Sequence, residues 1–223
     1  MNTRWKWLIA AAMVWPAGVA AQTPVAVVEQ AAGKVGVEFM DYVTAGQVID
    51  LGRDGSVVLS YMKSCVRETI TGGTVIALEE ESLVQGGKVE RSRPRCDAKR
   101  LQLDARRATQ SAGTVYRGGP TLSAQADSAP LVLYGRSPMV QIDDIRSPLL
   151  ISRLDQAEPA QQFAITDRLL VADKFADFAK AGIVLAAGGR YRASQGSAAV
   201  EFVIDADAAA GQTAVIGRLL RLR

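Results

Sequence analysis

Short β-branched runs punctuated by turn-forming glycines constrain the fold of this chain more than any other feature. Val25-Ala26-Val27-Val28 is the first run, and Lys34 to Phe39 alternates after Gly33, with Val35, Val37 and Phe39 sharing one face. That period of two is the pattern of a half-buried strand. Ala45-Gly46 marks a turn before Val48-Ile49-Asp50-Leu51. Arg53-Asp54-Gly55-Ser56 then reads as a hairpin turn returning into Val57 to Tyr61, because Asp-Gly readily supplies positive φ. Thr71-Gly72-Gly73 separates Val66 to Ile70 from Thr74 to Leu78 in the same way. Strands spaced by about ten residues predict an antiparallel, all-β module.

The N-terminus has a different character. Arg4 and Lys6 precede an unbroken apolar run, Trp7 to Val14; Pro16 and Gly18 follow, and Val19-Ala20-Ala21 places small residues before Gln22. This is the layout of a secretory signal peptide cleaved after Ala21, with an apolar run short of the roughly 20 residues that span a bilayer. Removing 21 residues from 223 leaves 202, and removing Arg4 and Lys6 leaves 24 bases against 23 acids, a net charge of +1 instead of +3. All three tryptophans go with the leader, and the chain contains no histidine. The expected location is therefore periplasmic or secreted, with no transmembrane segment after cleavage. A near-neutral mature chain does not favour nucleic acid as a partner.

Cys65 and Cys96 are the only cysteines. An isolated pair in an exported chain predicts a disulfide. Redox catalysis favours closely spaced cysteines, and a zinc site would need ligands that absent histidines cannot supply. No metal or cofactor is expected.

The residues from Gly33 to Tyr61 also carry a resemblance. Gly33-Lys34-Val35 followed by Val37, the Gly46 turn into an apolar strand, and Asp54-Gly55-Ser56 leading to a strand ending near Tyr61 resemble the periplasmic FecR-type domain. Leu51-Gly52-Arg53 stands where that family has Gly-Asp. The likeness covers about 60 residues. It implies an exported, β-rich, mostly non-enzymatic domain; some members relay signals from outer-membrane receptors through a membrane-spanning helix.

Ala108 to Ala129 is rich in Ser, Thr, Gly, Ala and Gln and reads as a linker. Beyond it, Leu131 to Tyr134, Met139 to Ile142 and Pro148 to Ile151 predict strands. Asp173 to Lys180 predicts a short helix, with Asp173 as cap, Phe175 and Phe178 on one face and Gly182 past its end. Ile183 to Ala186 and Arg190 to Ala193 predict a hairpin across Gly188-Gly189, Gln195-Gly196-Ser197 turns into Ala199 to Ile204, and Ala214 to Leu222 predicts a closing strand. Gly189-Arg190-Tyr191, the Phe-bearing strand and the closing strand resemble an Ig-like sandwich. The expected organisation is a leader at 1–21, a FecR-like antiparallel β domain at 22–107, a linker at 108–129 and an Ig-like β-sandwich with one short helix at 130–223.

Between Lys88 and Arg107 eight bases face three acids. Lys88, Arg91, Arg93, Arg95, Lys99 and Arg100 form a candidate patch for an anionic envelope polymer or an envelope protein, the alternative being a solvated face beside the disulfide. Interleaved aromatics are missing, unlike in single-strand nucleic-acid binders. Glu79-Glu80-Glu81 lacks the alternate spacing of a calcium loop. Ser60 and Lys63 have Ser-x-x-Lys spacing, yet on a strand residues three apart point to opposite faces. Asp143-Asp144 and Asp205 with Asp207 are the acids that a glycan or peptide hydrolase could use. No catalytic residue is assigned. The expectation is a non-enzymatic envelope binding, assembly or signalling-accessory protein, against a carboxylate-dependent hydrolase that would need two acids facing each other in a concave pocket.

Overall fold

The computed structural model describes residues 23–103, 105, 131–211 and 213–222; the expected leader at 1–21 and linker at 108–129 lie outside them. The chain is mainly β. A first, six-stranded sheet comprises β1 (Pro24–Ala32), β2 (Tyr42–Thr44), β3 (Val48–Tyr61), β4 (Arg67–Ala77), β5 (Ser82–Gln85) and β6 (Lys88–Ser92). Its order is β2-β1-β3-β4-β5, with β6 also on β4 and every pair antiparallel. One face of this sheet closes over Val28, Val43, Ile49, Leu59, Tyr61 and Ile70. A short helical segment at 98–103 follows it.

Several glycines expected to end strands bend them instead. β3 runs unbroken through Arg53-Asp54-Gly55-Ser56, with register shifts on both sides of Gly52, and β4 runs unbroken through Gly72-Gly73. β5 and β6 together track β4 from Ala77 back to Arg67, kinked at Gly86-Gly87. Gly52 pairs with Gly73, and a Cβ on Gly73 would meet the backbone of Gln85 and Gly87. Gly52 on β3, Gly72-Gly73 on β4 and Gly86-Gly87 between β5 and β6 thus form a seam where the sheet bends, with no room for a Cβ at Gly73 or Gly87. Bulges do here what hairpin turns were expected to do. Lys34 to Phe39 is likewise not a strand: Gly33 and Gly36 have φ of 88° and 70°. Val35 and Val37 still reach the core.

The second half holds two sheets. One has the order β10-β9-β13-β14-β7, from β7 (Leu131–Gly135), β9 (Leu149–Arg153), β10 (Gln161–Phe163), β13 (Arg190–Gln195) and β14 (Ala198–Ala209). The other has the order β11-β12-β8-β15, from β8 (Met139–Gln141), β11 (Leu170–Val171), β12 (Phe175–Asp177) and β15 (Leu219–Arg221). Two pairs, β14 with β7 and β15 with β8, are parallel. Both sheets contribute to one core that contains Leu133, Val140, Leu149, Ala176, Tyr191 and Phe202.

Three readings of this half are corrected, the first being the closing strand, which is confined to Leu219–Arg221 after a 3-10 turn at Val215–Gly217. Asp173 to Lys180 is not a helix; Phe175–Asp177 is a strand between turns. Phe175 and Phe178 do not share a face: Phe178 packs in the sandwich core and Phe175 in a separate cluster with Met139 and Val215. Ile183 to Ala186 forms no ladder, since Arg190–Gln195 pairs instead with β9 and β14; the Gly196-Ser197 turn forms as expected.

Cys65 and Cys96 form a disulfide, joining the end of the β3–β4 turn to the segment after β6. Closing a loop of this length contributes about 3–4 kcal/mol on the chain-entropy model. The glycine seam is the more local constraint. Gly73→Ala should cost about 2–4 kcal/mol of unfolding free energy, because φ is 77° and backbone atoms occupy the Cβ position. Urea denaturation would measure it, and a loss under about 0.5 kcal/mol would show that the seam tolerates side chains.

Candidate functional site

The first sheet is covered on its other face as well. Val27 pairs with Ser60, Ser60 with Arg67, and Arg67 with Ser92, so these four residues form one row across β1, β3, β4 and β6. Glu29 sits at the register shift between Val28 and Gln30, and its carboxylate reaches Ser60 of this row. The C-terminal half presents a matching row, in which Asp177 pairs with Met139 and Met139 with Leu219. Their neighbours Ala176, Val140 and Leu220 point into the sandwich core. The four-stranded sheet is thus clad on both sides, by its own sandwich and by the first module.

Contacts of several kinds join the two halves. Phe39 meets Phe175 edge-on with ring centroids 5.7 Å apart. The guanidinium of Arg95 lies 4.6 Å from the Tyr134 ring centroid and donates to both carboxylate oxygens of Asp205 at 2.9 and 3.0 Å. Arg221 lies over Tyr42 at 5.2 Å. The Ile216 amide donates to Glu29 Oε1 at 3.3 Å, linking residues 187 apart in sequence.

A cleft of about 450 Å³ opens between the rows, the size of a small-ligand site. Glu29, Arg67, Asp177, Lys180 and Arg218 line it together with apolar side chains that include Phe39, Met139 and Val215. Glu29, with its side chain 3% exposed, accepts from Ser60 Oγ at 2.8 Å and from Arg67 Nε at 2.8 Å. Asp177 accepts from Arg218 Nη1 at 2.6 Å and from Nη2 at 3.3 Å, with both side chains under a tenth exposed. A carboxylate removed from water needs such partners, because an unpaired buried charge costs several kcal/mol. Both acids of the cleft are therefore held by guanidinium groups.

The basic residues expected to form a patch divide into two kinds. Lys88, Arg93 and Lys99 are exposed, as are Arg91 and Arg95, but the last two engage carboxylates. Arg91 donates Nε to Glu68 Oε1 at 2.8 Å and Nη2 to the Ser82 carbonyl at 3.0 Å, neutralising a carboxylate with no exposure. Arg95 joins the two modules, and Arg100 sits in the short helical segment, where its amide is capped by Asp97. Of the candidate acids, Asp144 is held below its usual range by the Ser147 hydroxyl and the Arg146 amide, the opposite of what a general acid requires. Asp205 pairs with Arg95 and also caps the Asp207 amide. Ser60 and Lys63 are apart in function: Ser60 is buried on Glu29, and Lys63 pairs with Glu80 at 2.8 Å on the surface. Among the described residues no three His, Cys, Asp or Glu side chains come together as a metal site.

The paired charges of the cleft, Glu29, Arg67, Asp177 and Arg218, carry no distinctive sequence pattern. Glu29 and Arg67 follow or interrupt strand runs and look like solvent-facing positions. A single signal was present: Glu29 prolongs the apolar run 25–28 at the position where the opposite face is also buried.

A second buried polar group makes a pH test. Burial pushes the Tyr61 phenol, whose oxygen is 2.7 Å from Ser82 Oγ, up to about 12 from its ordinary 10. The unfolded chain loses this proton first, so the phenol's contribution to stability is complete below pH 10 and is lost as pH rises through 12. Tyr61→Phe should flatten the fall in stability across that window, measured by urea unfolding at each pH; an identical fall in both proteins would assign the titration to other groups. In comparisons with known proteins, no family model, curated protein or solved structure matches this chain.

Proposed function

We propose that this is an exported, non-enzymatic binding component of the bacterial cell envelope, a FecR-like module fastened to a β-sandwich. Its partner would be an envelope protein or an anionic envelope polymer. The observation that carries the reading is the state of the acids in the cleft: Glu29 and Asp177 are each engaged by an arginine, which suits recognition better than proton transfer. The Cys65–Cys96 disulfide supports an oxidising compartment. β6, at the open edge of the first sheet, carries Lys88, Glu90 and Arg91, and charged edges of this kind discourage indiscriminate strand pairing. The exposed bases Lys88, Arg93 and Lys99 then supply attraction to an acidic surface.

A second reading, carboxylate-dependent hydrolysis of envelope glycan or peptide, has one observation in its favour. Glu29 and Asp177 line the same concave space.

The experiment purifies the exported protein, expected to start at Gln22, and crosslinks it to an envelope fraction. Capture should fall several-fold in the triple variant Lys88→Glu, Arg93→Glu, Lys99→Glu, and should weaken with added salt. Arg91 and Arg95 are left intact, because reversing Arg91 would set a second carboxylate against buried Glu68. Unchanged capture would remove the basic surface from the mechanism. Turnover of an envelope glycan or peptide that vanishes in Glu29→Gln would establish the hydrolase instead.

A further inference from the structure

We propose that the cleft between the modules binds a terminal carboxylate carried on an apolar body, either a peptide C-terminus or a fatty acid. The inference rests on the binding reading above and names the chemistry of its ligand.

Charge comes first. Three cations, Arg67, Lys180 and Arg218, face two carboxylates, Glu29 and Asp177, across the cleft, leaving one positive charge. That balances a monoanion and falls short of a phosphate dianion. Arg218 is spent on Asp177, Ser137 and Thr213. Arg67 is different: it donates to Glu29 through Nε, and its side chain is 30% exposed. The terminal nitrogens of its guanidinium form the planar fork that matches a carboxylate. Lys180 Nζ donates to the carbonyls of Asp167 and Leu170, both at 2.8 Å, which uses two of the three donors of an ammonium.

The remaining wall is apolar. Phe39, Pro94, Met139, Val171 and Val215 line the same space, so an anion carrying a hydrocarbon portion meets both kinds of surface. Backbone strain points to the same place. Among the described residues, non-glycine positions with positive φ are Met40, Cys65, Ala172 and Asp173. Two of the four adjoin cleft-lining residues, Met40 beside Phe39 and Ala172 beside Val171. Strain of this sort persists where the surrounding structure fixes the geometry.

The test titrates the full exported protein with two probes, octanoate and the tripeptide acetyl-alanyl-leucyl-phenylalanine, alongside the amide of each, by calorimetry. At least one free carboxylate should bind, about tenfold or more tighter than its amide. Lys180→Gln, an exposed position, should weaken it by a similar factor, and Ser92→Trp should block it. Circular dichroism verifies that both variants fold. Octanoate alone binding identifies the fatty acid, and the tripeptide alone identifies the peptide. Equal binding of acid and amide, no effect of Lys180→Gln, tighter binding of phenyl phosphate, or no binding of either acid at millimolar concentration would overturn the proposal. Failure here with envelope capture intact overturns the ligand class only; loss of both removes the binding reading itself.

Discussion

A carboxylate withdrawn from water must be met by donors, and Glu29 is met from three directions. Ser60 on β3, Arg67 on β4 and the Ile216 amide of the C-terminal half all donate to it. Two of these donors belong to its own sheet and the third belongs to the other module. Satisfying one buried charge thus brings together segments from opposite ends of the chain. Asp177 and Arg218 repeat the arrangement on the facing side, where Arg218 also donates to the carbonyls of Ser137 and Thr213. Such pairs add less to stability than their Coulomb attraction suggests, because desolvation offsets much of it. Their stronger effect is on geometry, since displacing either partner leaves a buried charge without a donor.

The two rows of side chains explain why the junction is a face and not a hinge. β1 is buried on both sides over Pro24–Glu29, and β8, β12 and β15 alternate between the sandwich core and the first module. A strand clad on both faces loses the apolar–polar alternation expected at a surface. The resulting cleft combines fixed charges with apolar walls, and its shape depends on both modules keeping their registration.

The β character, the disulfide and most strand positions were legible because period-two runs and an isolated cysteine pair have few other structural meanings. The bends were not. A glycine pair such as Gly72-Gly73 supplies positive φ equally well to a hairpin or to a bulge, and only the partner strand decides between them. Phe175 and Phe178 misled for a related reason: spacing of three fits one helix face, but it also fits a doubly covered strand and the turn after it, whose residues point to different cores. The cleft was hidden by distance along the chain. Glu29 and Arg67 lie 38 residues apart, and Asp177 and Arg218 lie 41 apart. Charges at such positions look like a solvated face until the second module is placed over them.

The direct test of Glu29 as the fastening between modules is native-state hydrogen exchange in the unaltered protein and in Glu29→Gln. If the carboxylate holds both modules, the substitution should raise exchange in β1 and, together with it, in Phe175–Asp177, Ile216 and Leu219–Arg221. Faster exchange confined to the first sheet, with β12 and β15 as protected as before, would contradict that claim.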